Sequence, residues 1–329
     1  MELDVGALDA WIADRLPGAG QPLTARRMGE ATGIANALFI VERGPHRWVL
    51  RRPPAVKNDP SASDTVREWR ILTALEGTDV PHPTPRLLCE DVSVLGAPFM
   101  LMDVVDGFTP GFELPASFDD HRCDLAMAYV DGCAALSLVD WEARGLTGLG
   151  KPEGFLARQV GRWLAQLDRY RVRPLEELDF LADWLEANRP ANGPTGLLHG
   201  DYSPFNVMVA PEPPARLAAI VDWDTGTIGD PLLDIGHLLA RWTEPGEEPV
   251  IDVPAGGVDG YPTRAEMAAR YVERTGADLS ALPYYEALAL FKLAIILEGN
   301  YARTRDAQME VLVPQLLRGA AEFARGQRR

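Results

Sequence analysis

With 329 residues and 47% apolar side chains, the chain can bury one large core or two modest ones, so two lobes in one enzyme-sized unit are expected. Its net charge of -16 and pI near 4.8 argue against nucleic-acid partners, which need clustered Lys and Arg to neutralise phosphates. Lysine is confined to Lys57, Lys151 and Lys292, and the cysteines Cys89, Cys123 and Cys133, without C-x-x-C spacing, fit buried, reduced thiols of a cytoplasmic protein.

The opening "MELDVGALDAWIADRLPG" is acidic, with helical apolar spacing at Leu3, Leu8, Trp11, Ile12 and Leu16, and does not read as a signal peptide. Three β-rich runs follow, "LTARRMGEA", "ANALFIVERGPHRWVLRRPP" and "PRLLCEDVSVLGAPFMLMDVVDG", broken by glycine-containing turns. One helix interrupts them, in "ASDTVREWRILTALEG", with a Ser or Asp cap, apolar Val66, Trp69, Leu72 and Leu75, and Gly77 as its stop. The expected order is strand, strand, strand, helix, strand, strand.

From about Asp119 the pattern is helical, in "DLAMAYVDGCAALSLV", "FLARQVGRWLAQLDRY" and "LEELDFLADWLEAN". Thr263 and Glu266 form a capping-box pair before a helix that Gly276 ends, and a long helix is expected over about 283–303. Residues 243–262, rich in Pro, Gly and acid, suit a mobile flap. The apolar run "ALALFKLAIIL" is too short for a bilayer and carries Lys292, so a soluble protein without a membrane partner is expected.

Between two apolar runs lies "LLHGDYSPFNVMVA", with His199, Asp201 and Asn206. Asp201 precedes Asn206 by five residues on a loop containing Pro204, which can turn both side chains toward one point. Downstream, Asp222 ends the apolar run of "AIVDWDTGTIGDP" and Asp224 follows. Asn206 and Asp222 suit a hard cation such as Mg²⁺, which takes one or two carboxylates and completes its shell with water and phosphate oxygens. Asp201 is then free to orient a hydroxyl and accept its proton during phosphoryl transfer.

The H-x-D-x-x-x-x-N pattern, followed by "VDWD" and "GDPLLD", resembles the aminoglycoside phosphotransferase family of protein-kinase-like enzymes. Segments such as "GIANALFIVERG", "WVLRRPP" and "DWDTGTIGDPLLDIGHLLARW" extend the resemblance over nearly the whole chain. They look especially like the branch related to kinase-like domains attached to acyl-CoA dehydrogenases. The resemblance implies a bilobal α+β fold: an N-lobe over 1–105 with an antiparallel sheet and one αC-type helix, a hinge at about 102–107, and a larger, mainly helical C-lobe over 106–329.

It also implies roles. Asp201 is the catalytic base, Asn206 and Asp222 hold Mg²⁺, His199 supports the catalytic loop, and Asp234 braces that loop unless it is an ordinary helix-start acid. Arg51, paired with Glu68, grips the nucleotide phosphates, with Arg52 as the alternative. Strand parity puts Val49 on the face of Arg51, where it can roof the adenine. Gly33, in the weak glycine loop "GEATGIAN", approaches phosphate, and the backbone around Asp103 and Val105 meets the adenine. ATP is the expected nucleotide and GTP is left open.

Candidate acceptor-site residues are Asp224, Lys292, Tyr301 and Arg303. Asp224 is otherwise a solvated turn acid and Lys292 a snorkelling stem with a wet ammonium. His46, His82, His121 and His237 read as ordinary surface or core histidines. The partners are therefore a nucleotide and a small-molecule acceptor, with hydroxy-acid or hydroxyacyl acceptors preferred over aminoglycosides. A nucleotide-binding pseudokinase, which predicts loss of Asp201 or a metal ligand, and a metal-dependent hydrolase using His199, Asp201, Asp222 and Asp224 are the competing classes.

Overall fold

The computed structural model describes residues 3–29, 36–53, 65–191 and 193–328. Helix α1 (Val5–Ile12) is capped by the Asp4 carboxylate, which accepts the Ala7 N–H at 2.9 Å. Strands β1 (Leu23–Met28), β2 (Ala37–Arg43) and β3 (His46–Arg52) lead to α2 (Thr65–Leu75), then β4 (Pro85–Cys89), the single-turn α3 (Val92–Leu95) and β5 (Phe99–Asp103). The five strands pair antiparallel in the order β1-β2-β3-β5-β4. The order read from the pattern holds, but α3 is a departure. Asp91 accepts the Ser93 N–H and Gly96 closes the turn at φ 80°, so capping overrides the β preference of Val92 and Val94.

Register sorts the two faces of the sheet. Phe39, Leu50 and Leu101 stand in line and pack with Leu8 and Ile12 of α1 in one core. Ile40, Val49 and Met102 form the neighbouring row and face the other way, towards a cleft over the rest of the chain. Behind that cleft α2 buries Ile71, Leu72 and Leu75, which belong to the larger core.

The remainder is mainly helical: α4 (Arg122–Ser137), α5 (Gln159–Leu167), α6 (Leu178–Ala187), then β6 (Gly196–Leu198), β7 (Val207–Val209), β8 (Leu217–Ile220) and β9 (Thr227–Gly229), followed by α7 (Leu232–Ala240), α8 (Arg264–Thr275), α9 (Leu282–Thr304) and α10 (Ala307–Ala324). The four short strands make two ribbons, β6 with β9 and β7 with β8. The Thr263–Glu266 capping box and the Gly276 stop, at φ 70°, are both present. Helix α10 has no counterpart among the expected helices; Asp306 caps it, and Pro314 interrupts its pattern.

Two expectations are corrected. Residues 243–262 are pinned, not a free flap: Val250, Val253 and Ala255 are buried, Thr243 bridges Gly257, and Glu247 pairs with Arg264 and Arg328. Cys123 is exposed, whereas Cys89 and Cys133 are buried, and all three thiols are free. Among the described residues no helix is long and apolar enough to cross a membrane.

Candidate active site

The loop 199–206 is strung between β6 and β7, so both of its ends are anchored in core ribbons. Gly200 enters it at φ +81°, and a Cβ there would lie 2.8 Å from the Thr225 carbonyl, so neither the backbone nor the space admits a side chain. Asp234, in the first turn of α7, accepts the His199 N–H at 2.6 Å and the Gly200 N–H at 2.7 Å. Burial raises its carboxyl pKa, and those two bonds favour the charged form. Both nitrogens of the His199 ring are engaged: Nε2 donates to the Val221 carbonyl at 2.8 Å, and Nδ1 accepts the Asp201 N–H at 3.3 Å.

Both carboxylate oxygens of Asp201 are held. Oδ2 accepts from Asn206 Nδ2 at 3.0 Å, and Oδ1 accepts from Arg241 Nη2 at 2.8 Å. Burial works against its charge, but Arg241, His237, Lys292 and His199 outweigh it and hold the carboxyl below the usual carboxylate range. Residues between Asp201 and Asn206 anchor the loop: the Tyr202 hydroxyl donates to the Tyr129 carbonyl at 2.7 Å, and Phe205 stands edge-on to Phe112.

The cleft beneath the sheet encloses about 640 Å³. Leu38, Ile40 and Val49 form its roof, Met208 and Val221 its floor, and the chain from Met102 to Val105 its back wall. The Asp103 carboxylate is turned aside onto Arg86, at 2.7 and 2.5 Å. Arg51 reaches into the cleft and is buried. Its Nε meets Glu68 Oε2 at 2.5 Å, and Nη2 lies 3.2 Å from Asp222 Oδ1 and 2.7 Å from Asp224 Oδ1. Burial pushes the Glu68 carboxyl up to about 7, against the pull of the Arg51 charge.

Arg52 points to the opposite face and donates to the Leu95 carbonyl at 3.1 Å, so of the two arginines it is Arg51 that lines the cleft. Asp224 is no free turn acid: besides Arg51 it accepts from Asn36 at 2.8 Å. Gly33 lies outside the described residues.

Asp222 holds φ 63° and ψ 65°, the left-handed region that Asp and Asn tolerate better than most L-residues, and this conformation leaves its carboxylate half exposed in the cleft. Asn206 lines the same cleft. Because its Nδ2 is engaged by Asp201, its Oδ1 is left as the acceptor. A carboxylate and an amide oxygen facing one cleft form a donor set that fits Mg²⁺.

A family model described as the phosphotransferase enzyme family matches residues 31–291. The chain belongs to that family. Acyl-CoA dehydrogenase family member 11 of Rattus norvegicus is 30% identical over 312 residues, 92% of this chain and 40% of that protein. The chain thus spans well under half the length of that relative.

A structure from Ralstonia eutropha, provisionally assigned as an aminoglycoside phosphotransferase, superposes with a TM-score of 0.82 at 29% identity, covering 99% of both chains. The GDP complex of aminoglycoside 2'-phosphotransferase-IIIa gives a TM-score of 0.65 at 18% identity, over 98% of this chain and 99% of that one. The fold of this phosphotransferase family member is therefore protein-kinase-like, with an antiparallel sheet followed by a helical part.

In this family member, the candidate acceptor residues on α9 separate. Lys292 is buried and its ammonium donates to the Gly200 carbonyl, which corrects the wet-ammonium reading. Burial lowers its pKa to about 8, against the attraction of Asp201 and Asp234. Tyr301 and Arg303 lie about 13 to 17 Å further along the helix. Tyr301 stacks with Arg173 and Arg305, and Arg303 is exposed, so neither joins the loop 199–206.

Arg241 and His237 carried no site role in the sequence reading: His237 read as an ordinary histidine, yet its buried ring places Nδ1 3.9 Å from Asp201 Oδ1. The sequence does hold a signal. Asp234, His237 and Arg241 recur at i, i+3 and i+7 in an otherwise apolar helix, so one polar stripe faces the loop.

Proposed function

We propose that this protein is an ATP- and Mg²⁺-dependent small-molecule kinase that transfers the γ-phosphate to an acceptor hydroxyl. The observation that carries the reading is that Asn206 and Asp222 face one cleft whose roof carries the Arg51–Glu68 pair, with Asp201 hydrogen-bonded to Asn206 beside it. The nucleotide base fits between Val49 and Met208 against the backbone of 103–105, and Arg51 steadies its phosphates. Asn206 and Asp222 would hold Mg²⁺, which supplies neutralisation of phosphate charge. Asp201 accepts a hydrogen bond from the acceptor hydroxyl, aims its oxygen at the γ-phosphorus and takes its proton as the O–P bond forms and the nucleoside diphosphate leaves. Most of the rate comes from positioning and charge stabilisation. The GDP held by the aminoglycoside phosphotransferase relative keeps GTP as an alternative donor.

A pseudokinase predicts a missing base or metal ligand, whereas Asp201, Asn206 and Asp222 are all present. The hydrolase reading needs His199 as a ligand, but its Nε2 is engaged by the Val221 carbonyl and its Nδ1 by the Asp201 N–H.

Hydroxy acids are favoured as acceptors. Beside Gly200, a cavity of about 750 Å³ is lined by Arg67, Lys151, Arg158, Arg162 and Lys292, a concentration of cations in a chain of net charge -16. Such a wall attracts carboxylates and repels polycationic aminoglycosides. The test is a phosphorylation screen with ATP and Mg²⁺ over hydroxy acids, their CoA esters and aminoglycosides, read by mass spectrometry with Asp201→Asn as control. Labelled acids or esters are expected; labelled antibiotic with unlabelled acids overturns the acceptor class, and undiminished product with Asp201→Asn overturns the base.

A further inference from the structure

We propose that Arg241 is a positioning residue for the catalytic carboxylate, the second half of a clamp that Asn206 begins. The inference rests on Asp201 being the base. Asp201 and Arg241 are 40 residues apart in sequence and come together because α7 lies against the catalytic loop. One helix face does two jobs there. Its first-turn Asp234 fixes the loop backbone at His199 and Gly200, and Arg241, two turns on, fixes the side chain that the backbone presents. His237 stands between them, its buried ring against Asp201, with no hydrogen-bond partner on either nitrogen among the described residues.

A carboxylate on a short side chain rotates about its Cβ–Cγ bond unless both oxygens are held. Here Asn206 holds Oδ2 from within the loop and Arg241 holds Oδ1 from the C-cap of α7, so the carboxylate plane is set before any acceptor arrives. Each oxygen keeps a further lone pair for the acceptor hydroxyl, because a carboxylate offers about four acceptor positions. Arg241 is 5% exposed while Asp201 is 37% exposed, so the clamp comes from the protein side and leaves the open side of the carboxylate to the acceptor. The guanidinium is rigid and planar, so it sets direction as well as charge.

The test compares Arg241→Met, which keeps the stem, and Arg241→Lys, which keeps the charge, with Asp201→Asn, using the acceptor found in the screen. The expected result for Arg241→Met is a kcat lower by about 10²-fold, the scale of a misplacement near 1 Å, with nucleotide KM within about twofold. Arg241→Lys should recover part of that loss. If Arg241→Met keeps kcat within about threefold while Asp201→Asn is inactive, the positioning role is wrong. It is equally wrong if nucleotide KM and unfolding midpoint shift together with kcat, since that pattern belongs to a purely structural pair. Full activity in Asp201→Asn overturns the base assignment instead, and the two failures are distinguishable.

Discussion

Arg51 and Glu68 join β3 to α2 by an ion pair of 2.5 Å with side chains only 7% and 4% exposed. The same guanidinium reaches Asp222 and Asp224, so a single side chain ties the sheet, the helix and the cleft floor together. Removing one member of a buried pair leaves an uncompensated charge, which costs about 3–5 kcal/mol. Arg51→Met should therefore lower unfolding stability by roughly that amount and raise nucleotide KM at least about tenfold. Denaturant unfolding and steady-state kinetics check both. Arg51→Lys should do no better than partial rescue, because a point charge cannot meet three carboxylates as a guanidinium fork does.

Asp234 satisfies two buried backbone donors at once. Asp234→Ala orphans both, at about 1–3 kcal/mol each, and frees the entry to the catalytic loop. A stability loss of about 2–6 kcal/mol with near-complete loss of phosphorylation is expected. Asp234→Asn retains one acceptor oxygen and should fall between. Wild-type stability in Asp234→Ala would show that the loop is held by other contacts.

Metal dependence isolates the roles of Asp222 and Asn206. Asn tolerates the left-handed backbone at position 222, so Asp222→Asn removes a charge without new backbone strain. Its activity should need at least about tenfold more Mg²⁺ for half-saturation, and chelation should abolish wild-type turnover. An unchanged Mg²⁺ titration would remove Asp222 from the metal site.

Asp230 supplies a pH test outside the cleft. It is buried, accepts the Tyr285 hydroxyl at 2.7 Å, and burial raises its carboxyl to about 6 from the usual 3.8, partly offset by that bond. The folded state therefore binds more protons than the unfolded chain between about pH 4 and 6, and stability falls as pH rises through that window. Asp230→Asn lacks this titration. The stability of the variant relative to wild type should thus increase by roughly 2–3 kcal/mol from pH 4 to pH 6. A difference that stays flat across this range would show that Asp230 titrates normally.

Much of the site is legible in the amino-acid sequence. His199, Asp201, Asn206 and Asp222 stand within 24 residues; the short loop between β6 and β7 holds the first three, and the β7–β8 ribbon returns the chain to bring Asp222 beside them. Period-2 parity in β3 puts Val49 and Arg51 on one face, and the register with β2 and β5 bears that out. Capping chemistry at Thr263, Glu266 and Gly276 likewise acts over one helical turn, which is why those boundaries can be read directly.

What tertiary structure alone decided lies at contacts between elements distant in the chain. That Arg51 and not Arg52 lines the cleft follows from which side of the sheet α1 covers, since that core leaves the other face for the cleft. Residues 243–262 have a loop composition, yet they are pinned by Arg264 and Arg328, the latter far downstream. Arg241 carried no local sign of its partner, because an i, i+3, i+7 stripe states which residues share a face and not what that face meets, and Lys292 stands in an apolar run that says nothing of the Gly200 carbonyl it meets. Sequence periodicity therefore determined the elements, and the H-x-D-x-x-x-x-N spacing marked the loop 199–206. Packing of α7 and α9 against that loop decided which distant charges surround Asp201, because Coulomb interactions depend on separation in space and not along the chain.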